Sequence, residues 1–306
     1  MSIINEIASL FTAPHGQIEC DVACTPTDKR FDLAAAFNES GVIACGGRDE
    51  RGYLSSYSFI VPPAGKPTAV RPLPKPRSRH AASATLDGRF IVVGGVTEDC
   101  DGSLALAKTV LEYDLKTDRW SDIGELPLKS AQLVAEVVHG KLVVIAGDTG
   151  TTTVPGAPIS PARCRGDVQI LDLHTAQWSI GKPKPTPETG VTSAVLGDEI
   201  FVVSSFPDDG VVSALVEVYN CKSNTWRRIP DMPTARTGVP CGFIDGKLYC
   251  VNGQGVDLKP MSVIEVYDPR TDQWQTVANP PRASMSQGYA NGANRLFLIG
   301  GMVGDA

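Results

Sequence analysis

What this chain lacks narrows its function before any motif is read. No apolar run approaches the roughly 18 residues of a membrane-spanning helix, and Asn5 and Glu6 stand where a secretion signal would need a basic start and an apolar core. Four histidines, none at H-x-H or H-x3-H spacing, offer no preformed metal site. No glycine-rich segment opens a helix, so nothing cradles a phosphate and no cofactor is expected. The eight cysteines are scattered. Cys45, Cys241 and Cys250 lie inside apolar runs, and the one close pair, Cys20 and Cys24, has no matching second half. Reduced thiols in a cytoplasmic protein are the expectation. A net charge of -6 without a basic stripe argues against nucleic acid or an anionic membrane as partner.

What the chain does have is repetition. An apolar run ends in a small-small pair, a variable loop follows, and then comes a segment with an aromatic and, seven residues on, a Trp. The second small residue falls at Gly47, Gly95, Gly147, Ser205, Gly253 and Gly301, spaced by 48, 52, 58, 48 and 48 residues. Each run is preceded by a tight-turn signal such as Asp87-Gly88, His139-Gly140 or Asp245-Gly246, where positive φ is tolerated. Tyr113 to Trp120, Leu171 to Trp178, Tyr219 to Trp226 and Tyr267 to Trp274 keep the seven-residue step. In the first repeat Ile60 and Pro67 take those places, so its outer strand should be the loosest. A period near fifty built from strand-like segments points to four-stranded blades.

The diglycine, Tyr and Trp pattern resembles the kelch repeat over essentially the whole chain. The resemblance implies an all-β fold, a six-bladed β-propeller of four-stranded antiparallel blades in a single stand-alone domain over residues 1–306. Gly301 lies near the C-terminus, and continuing through residue 306 and restarting at Met1 brings Gly47 after 52 residues, within the range of the other spacings. Residues 2–22 are therefore expected to supply the outer strands of the closing blade, whose inner strands come from 283–301. Between them lie blades 1 to 5 at 31–74, 79–127, 131–185, 189–233 and 237–281.

Antiparallel blades send their first and third connections to one face and their second connection to the other. The variable lengths, including the long segment from Asp148 to Asp167, all fall on the second face, where function is expected. Counting back from the turns places Asp32, His80, Gln132, Gly190, Gly238 and Ser286 at the mouth of the central channel. Arg48, Asp148, Phe206 and Gln254 follow the small-small pairs at the same level. By resemblance to kelch adaptors that hold acidic side chains, Arg30, Arg77, Arg236 and Ser284 are candidates for an anionic group, with Arg282 adding charge. Equally, these arginines can bond neighbouring backbone carbonyls and tie blades together. The reading is a monomeric recognition module for a small anionic molecule or an acidic peptide. Its alternative is a metal-free isomerase, cyclase or lyase, resembling kelch sugar epimerases, that uses His80 with Asp32 or Glu188 for acid-base chemistry.

Overall fold

The computed structural model describes residues 2–3, 7–12, 18–24, 29–63, 65–85, 87–150, 164–203, 205–207, 210–278 and 282–303. The fold is all-β, and its six four-stranded antiparallel sheets are the blades of a six-bladed β-propeller. No helix among the described residues is long and apolar enough to cross a membrane. The contacts divide into two compact units.

The unit Asp32–Thr189 holds blades 1 to 3. Blade 1 is Ala34–Asn38, Gly41–Cys45, Ser58–Val61 and Thr68–Val70; blade 2 is Ala81–Ala84, Arg89–Val93, Thr109–Asp114 and Arg119–Glu125; blade 3 is Val134–Val138, Lys141–Ile145, Val168–Asp172 and Gln177–Ile180. Second strands are apolar on both faces because neighbours cover both. Ile91, Val93, Leu142 and Val144 are all fully buried in one cluster with Leu133 and Leu171.

The unit formed by Met1–Phe31 and Gly190–Ala306 holds blades 4 to 6. Blade 4 is Thr192–Leu196, Glu199–Val203, Val216–Asn220 and Thr225–Arg228; blade 5 is Cys241–Ile244, Lys247–Val251, Ile264–Asp268 and Gln273–Ala278. Blade 6 joins the two ends of the chain. Gly288–Gly292 and Arg295–Ile299 are completed by Ile7–Thr12 and Ile18–Cys24, with Ile7 opposite Ile299 and Leu10 opposite Leu296.

The small-small pairs have a backbone reason. Both residues of a pair are left-handed: φ is 68° and 90° at Gly46 and Gly47, 66° and 88° at Gly94 and Gly95, and 62° and 98° at Ala146 and Gly147. Asn252 with Gly253 and Gly300 with Gly301 behave alike. Two such residues in succession break the strand ladder and turn the chain toward its loop. The amide of the second residue then donates to the segment that begins the next blade: Gly47 to the Arg77 carbonyl (2.8 Å), Gly95 to Ser130 (2.9 Å) and Gly301 to Arg30 (2.9 Å).

The outer joints repeat as well. Tyr113 faces Trp120, Tyr219 faces Trp226 and Tyr267 faces Trp274, with ring centroids 4.9, 5.0 and 5.3 Å apart. Each tyrosine hydroxyl donates to the side chain five residues on, Asp118, Asn224 or Asp272, and so closes its turn. Replacing Tyr113 by Phe removes one such bond. It should lower stability by about 0.5–1.5 kcal/mol in urea denaturation without changing the slope of the transition.

Two local expectations are corrected. In blade 1 Ile60 is opposite Thr68, not Pro67, because proline has no N–H to give to the ladder; the outer strand there is only Thr68–Val70. In blade 2 the first hairpin carries one residue more than the others. Phe90 is opposite Ala84 and the connection runs from Thr85 to Arg89, whereas in blade 3 Val138 is opposite Lys141 across a two-residue turn. One extra residue moves everything earlier on that strand to the other face. Opposite the second small residue, the equivalent positions are therefore Asp32, Arg79, Gln132, Gly190, Gly238 and Ser286. All six are left-handed, with φ between 53° and 68°.

Candidate functional site

The register change decides which side chains reach the mouth of the unit Asp32–Thr189. His80, expected there, occupies instead the core position that Leu33 and Leu133 fill in the neighbouring blades. It is 6% exposed, its Nε2 lies 3.6 Å from the Cys45 sulfur, and Gly46 leaves room for the ring. Arg79 takes the mouth position. Its backbone N–H donates to the Asp32 carbonyl (3.1 Å), and the Gln132 N–H donates to the Arg79 carbonyl (2.8 Å). These bonds join the mouth positions of blades 1, 2 and 3 into one continuous line.

The side chains along this line form a network. Asp32 Oδ2 is 3.4 Å from Arg79 Nε and 3.8 Å from Arg48 Nη2, so two guanidinium groups share one carboxylate. Arg48 is almost fully buried and its Nε donates to Ser78 Oγ at 3.1 Å. Burial pulls its guanidinium down to about 10, with Asp32 acting to raise it and Arg79 to lower it further. That still leaves Arg48 charged at neutral pH. On the blade 3 side, buried Asp148 accepts from Gln132 Nε2 (3.1 Å), from the Gly150 amide (2.8 Å) and from Thr189 Oγ1. Burial pushes its carboxyl above the usual range, against those hydrogen bonds and the nearby Arg79 charge. The Arg79 side chain is 27% exposed and that of Asp32 17%, while Arg48 and Asp148 lie behind them. An anionic group arriving from solvent meets Arg79 first.

The other predicted residues divide by burial. Arg77 is 2% exposed: Nη1 donates to the carbonyls of Gly94 (3.3 Å) and Thr109 (3.1 Å), and Nη2 to Thr109 Oγ1 (2.5 Å). Arg236 is fully buried, donating to the carbonyls of Asn252, Thr234 and Cys250 and to Glu265 Oε2. Ser130 Oγ reaches the Ala146 carbonyl in the same way. These side chains satisfy carbonyls left open where the left-handed pairs break the ladder. Ser284 is buried too, accepting from Asn252 and donating to Gln287. Arg30 is 1% exposed. Arg77 and Arg236 thus bond carbonyls, the alternative left open for the arginines in the sequence, and Ser284 is engaged with Asn252 and Gln287; Arg30 shares their burial.

The expected acid-base set is not assembled. Asp32 is met by Arg48 and Arg79 rather than by His80, and Glu188 is buried against Lys184 Nζ at 2.5 Å. Gln254 is half-buried with its Nε2 on the Leu258 carbonyl, Phe206 is half-buried, and Arg282 is exposed. Much of the long Asp148 to Asp167 segment, residues 151–163, lies outside the described residues, as does Ser204. No cluster of His, Cys, Asp or Glu able to hold a metal occurs among the described residues.

Counting from the turns missed Arg79, although a second signal in the sequence points to it. Arginine stands two residues before the mouth position in "RFD" at Arg30 and in "RTG" at Arg236. Aligning "RSR" at Arg77 on these gives Arg79 directly.

Comparison with known proteins agrees with the repeat. The Kelch motif matches at residues 77–127, 208–233 and 235–281. The chain is similar to Kelch-like protein 25 of Xenopus tropicalis, 32% identical over 155 residues that make up 49% of this chain and 24% of that protein. It is also similar to Kelch repeat and BTB domain-containing protein 12 of Homo sapiens (29% over 158 residues, 49% and 25%). F-box protein AFR of Arabidopsis thaliana is 24% identical over 171 residues, 56% of this chain and 41% of its own. The chain thus spans well under two thirds of the length of these relatives. Among solved structures, that of YjhT superposes with a TM-score of 0.76 at 17% identity, covering 90% of this chain and 91% of the other.

Proposed function

Since the chain belongs to the kelch-repeat family, whose propellers bind ligands or proteins, we propose that it recognises a carboxylate-bearing partner at the line Asp32, Arg79 and Gln132. The observation that carries this reading is the pair of guanidinium groups sharing Asp32, one partly exposed and one buried. A guanidinium fork matches a carboxylate in two hydrogen bonds. Arg48, already desolvated and fixed on Ser78, adds positive potential to the site without having to be ordered. Gln132, tethered to Asp148, offers its amide as a neutral second contact. Relatives built as Kelch-like and F-box proteins favour a peptide as the source of that carboxylate.

The test is to pan a random peptide library, and in parallel a panel of small carboxylates by thermal shift, against the wild-type chain and Arg79→Gln. Wild type should enrich sequences containing Asp or Glu. The substitution should weaken them about tenfold to a hundredfold, the range of a hydrogen bond to a charged group. Its melting temperature should stay close to wild type, because the Arg79 to Asp32 pair is partly exposed. Hits on small carboxylates alone would move the proposal from peptide to metabolite. Unchanged binding by Arg79→Gln would end it.

A further inference from the structure

We propose a second docking surface, independent of the mouth: the groove at the outer joint of blades 1 and 2 takes an acidic, extended segment of a partner protein. The groove is open, has a volume of about 550 Å³, and is lined by Arg71, Pro72, Leu73, Pro74, Arg119 and Trp120. Leu73 is buried and Trp120 half-buried, and the Trp120 indole N–H donates to the Arg71 carbonyl at 2.9 Å. The floor is therefore apolar and held in place. The walls are charged and in solvent.

The chain carries its own control for what the joint needs structurally. Between blades 4 and 5 the same joint is built from Pro230, Asp231, Met232 and Pro233, with the Trp274 indole N–H donating to the Pro230 carbonyl at 2.7 Å and Met232 buried as Leu73 is. The backbone bonds match as well: the Leu73 amide donates to Ser56 and the Met232 amide to Ala214. Packing two blades together is thus achieved there with Pro230 and Gln273 in the places of Arg71 and Arg119. The two guanidinium groups exceed what the joint requires.

Charge then selects the occupant. Arg71 and Arg119 are exposed, Lys75 beside them is exposed, and Arg71 contacts Asp118 through its Nε (2.5 Å to the backbone carbonyl, 3.7 Å to the carboxylate). In a chain of net charge -6 this is a local basic island, which attracts acidic chains and repels basic ones. The exposed faces of Pro72 and Pro74 and the indole suit an apolar side chain between the acidic ones. The strand Thr68–Val70, outermost in its sheet, runs straight into Arg71, so an extended segment can lie along it.

The experiment uses a fluorescein-labelled peptide with a Leu-Phe pair between two runs of Glu, and a control with Gln in place of Glu. Binding is followed by anisotropy against the full chain. Wild type should bind the Glu peptide and not the Gln peptide, with affinity falling as salt rises. Because the mouth also takes carboxylates, the groove variants are made in the Arg79→Gln background: there Arg119→Glu should weaken the remaining binding about tenfold or more, and Arg71→Gln less. Equal binding of both peptides, or undiminished binding when Arg119→Glu is added to Arg79→Gln in a folded protein, overturns the proposal. Loss of binding in Arg79→Gln alone would place the peptide at the mouth, overturning this inference while supporting the other.

Discussion

Arg236→Ala is expected to lower stability by about 3–5 kcal/mol, the cost of breaking a buried ion pair by removing one partner. Arg236 and Glu265 are both fully buried and meet at 2.5 Å, and Glu265 Oε1 also accepts from Thr234 Oγ1 at 2.6 Å. Truncating the arginine leaves a carboxylate inside the protein with one hydroxyl for company. It also uncovers the carbonyls of Asn252, Thr234 and Cys250. Each buried carbonyl without a donor adds its own desolvation cost. For a chain of this size the melting temperature should fall by roughly 5–10 °C. The double variant Arg236→Met with Glu265→Leu separates charge from packing. Removing both charges should recover much of the loss, because a buried pair replaced by apolar groups of similar volume is often close to neutral. If the double variant is no more stable than Arg236→Ala, the ion pair is not what holds the site.

That result bears on how much of this protein was legible in its sequence. The blade count and the order of strands could be read because they depend on local rules: left-handed residues at the turns and pairs, alternation in the runs, and a seven-residue step that puts Tyr113 opposite Trp120. Even the pairing of the chain's two ends followed from spacing alone. The site was less legible for two physical reasons. The turn signal Asp87-Gly88 lies within a connection one residue longer than in the other hairpins, and a slip of one residue exchanged a partly exposed Arg79 for a buried His80. The arginines two positions earlier are charged and adjacent to loops, which suggests solvent. Their burial is set by carbonyls that open only because the following pairs are left-handed, a demand visible in the backbone and in no single residue. Arg48 and Asp148 follow those pairs directly, with no hairpin register in between, and they meet Asp32 and Gln132 respectively.

The second large effect is expected at Gly95. A Cβ there would lie 2.5 Å from the Ser78 carbonyl oxygen and 2.7 Å from His80 Cβ, at a φ of +88°. Both obstacles belong to the segment that carries Arg79, and neither a backbone carbonyl nor a Cβ fixed to the backbone can step aside as a flexible side-chain tip can. Gly95→Ala should therefore cost about 2–5 kcal/mol, combining the strain of a left-handed non-glycine with overpacking. Its consequence reaches beyond stability. Pushing Ser78 and His80 away moves Arg79 between them, along with the Ser78 hydroxyl that fixes Arg48 at 3.1 Å. The Gly95 amide bond to Ser130, which joins blade 2 to blade 3 at 2.9 Å, is strained by the same shift. A denaturation curve and a binding curve on the same preparation test this. Affinity at the mouth should fall even at temperatures where the variant is fully folded, whereas a control such as Gly140→Ala, with open space around its Cβ and a comparable φ of +72°, should lose some stability and keep its affinity. Loss of affinity in the control as well would mean that binding follows general stability and not the position of Arg79.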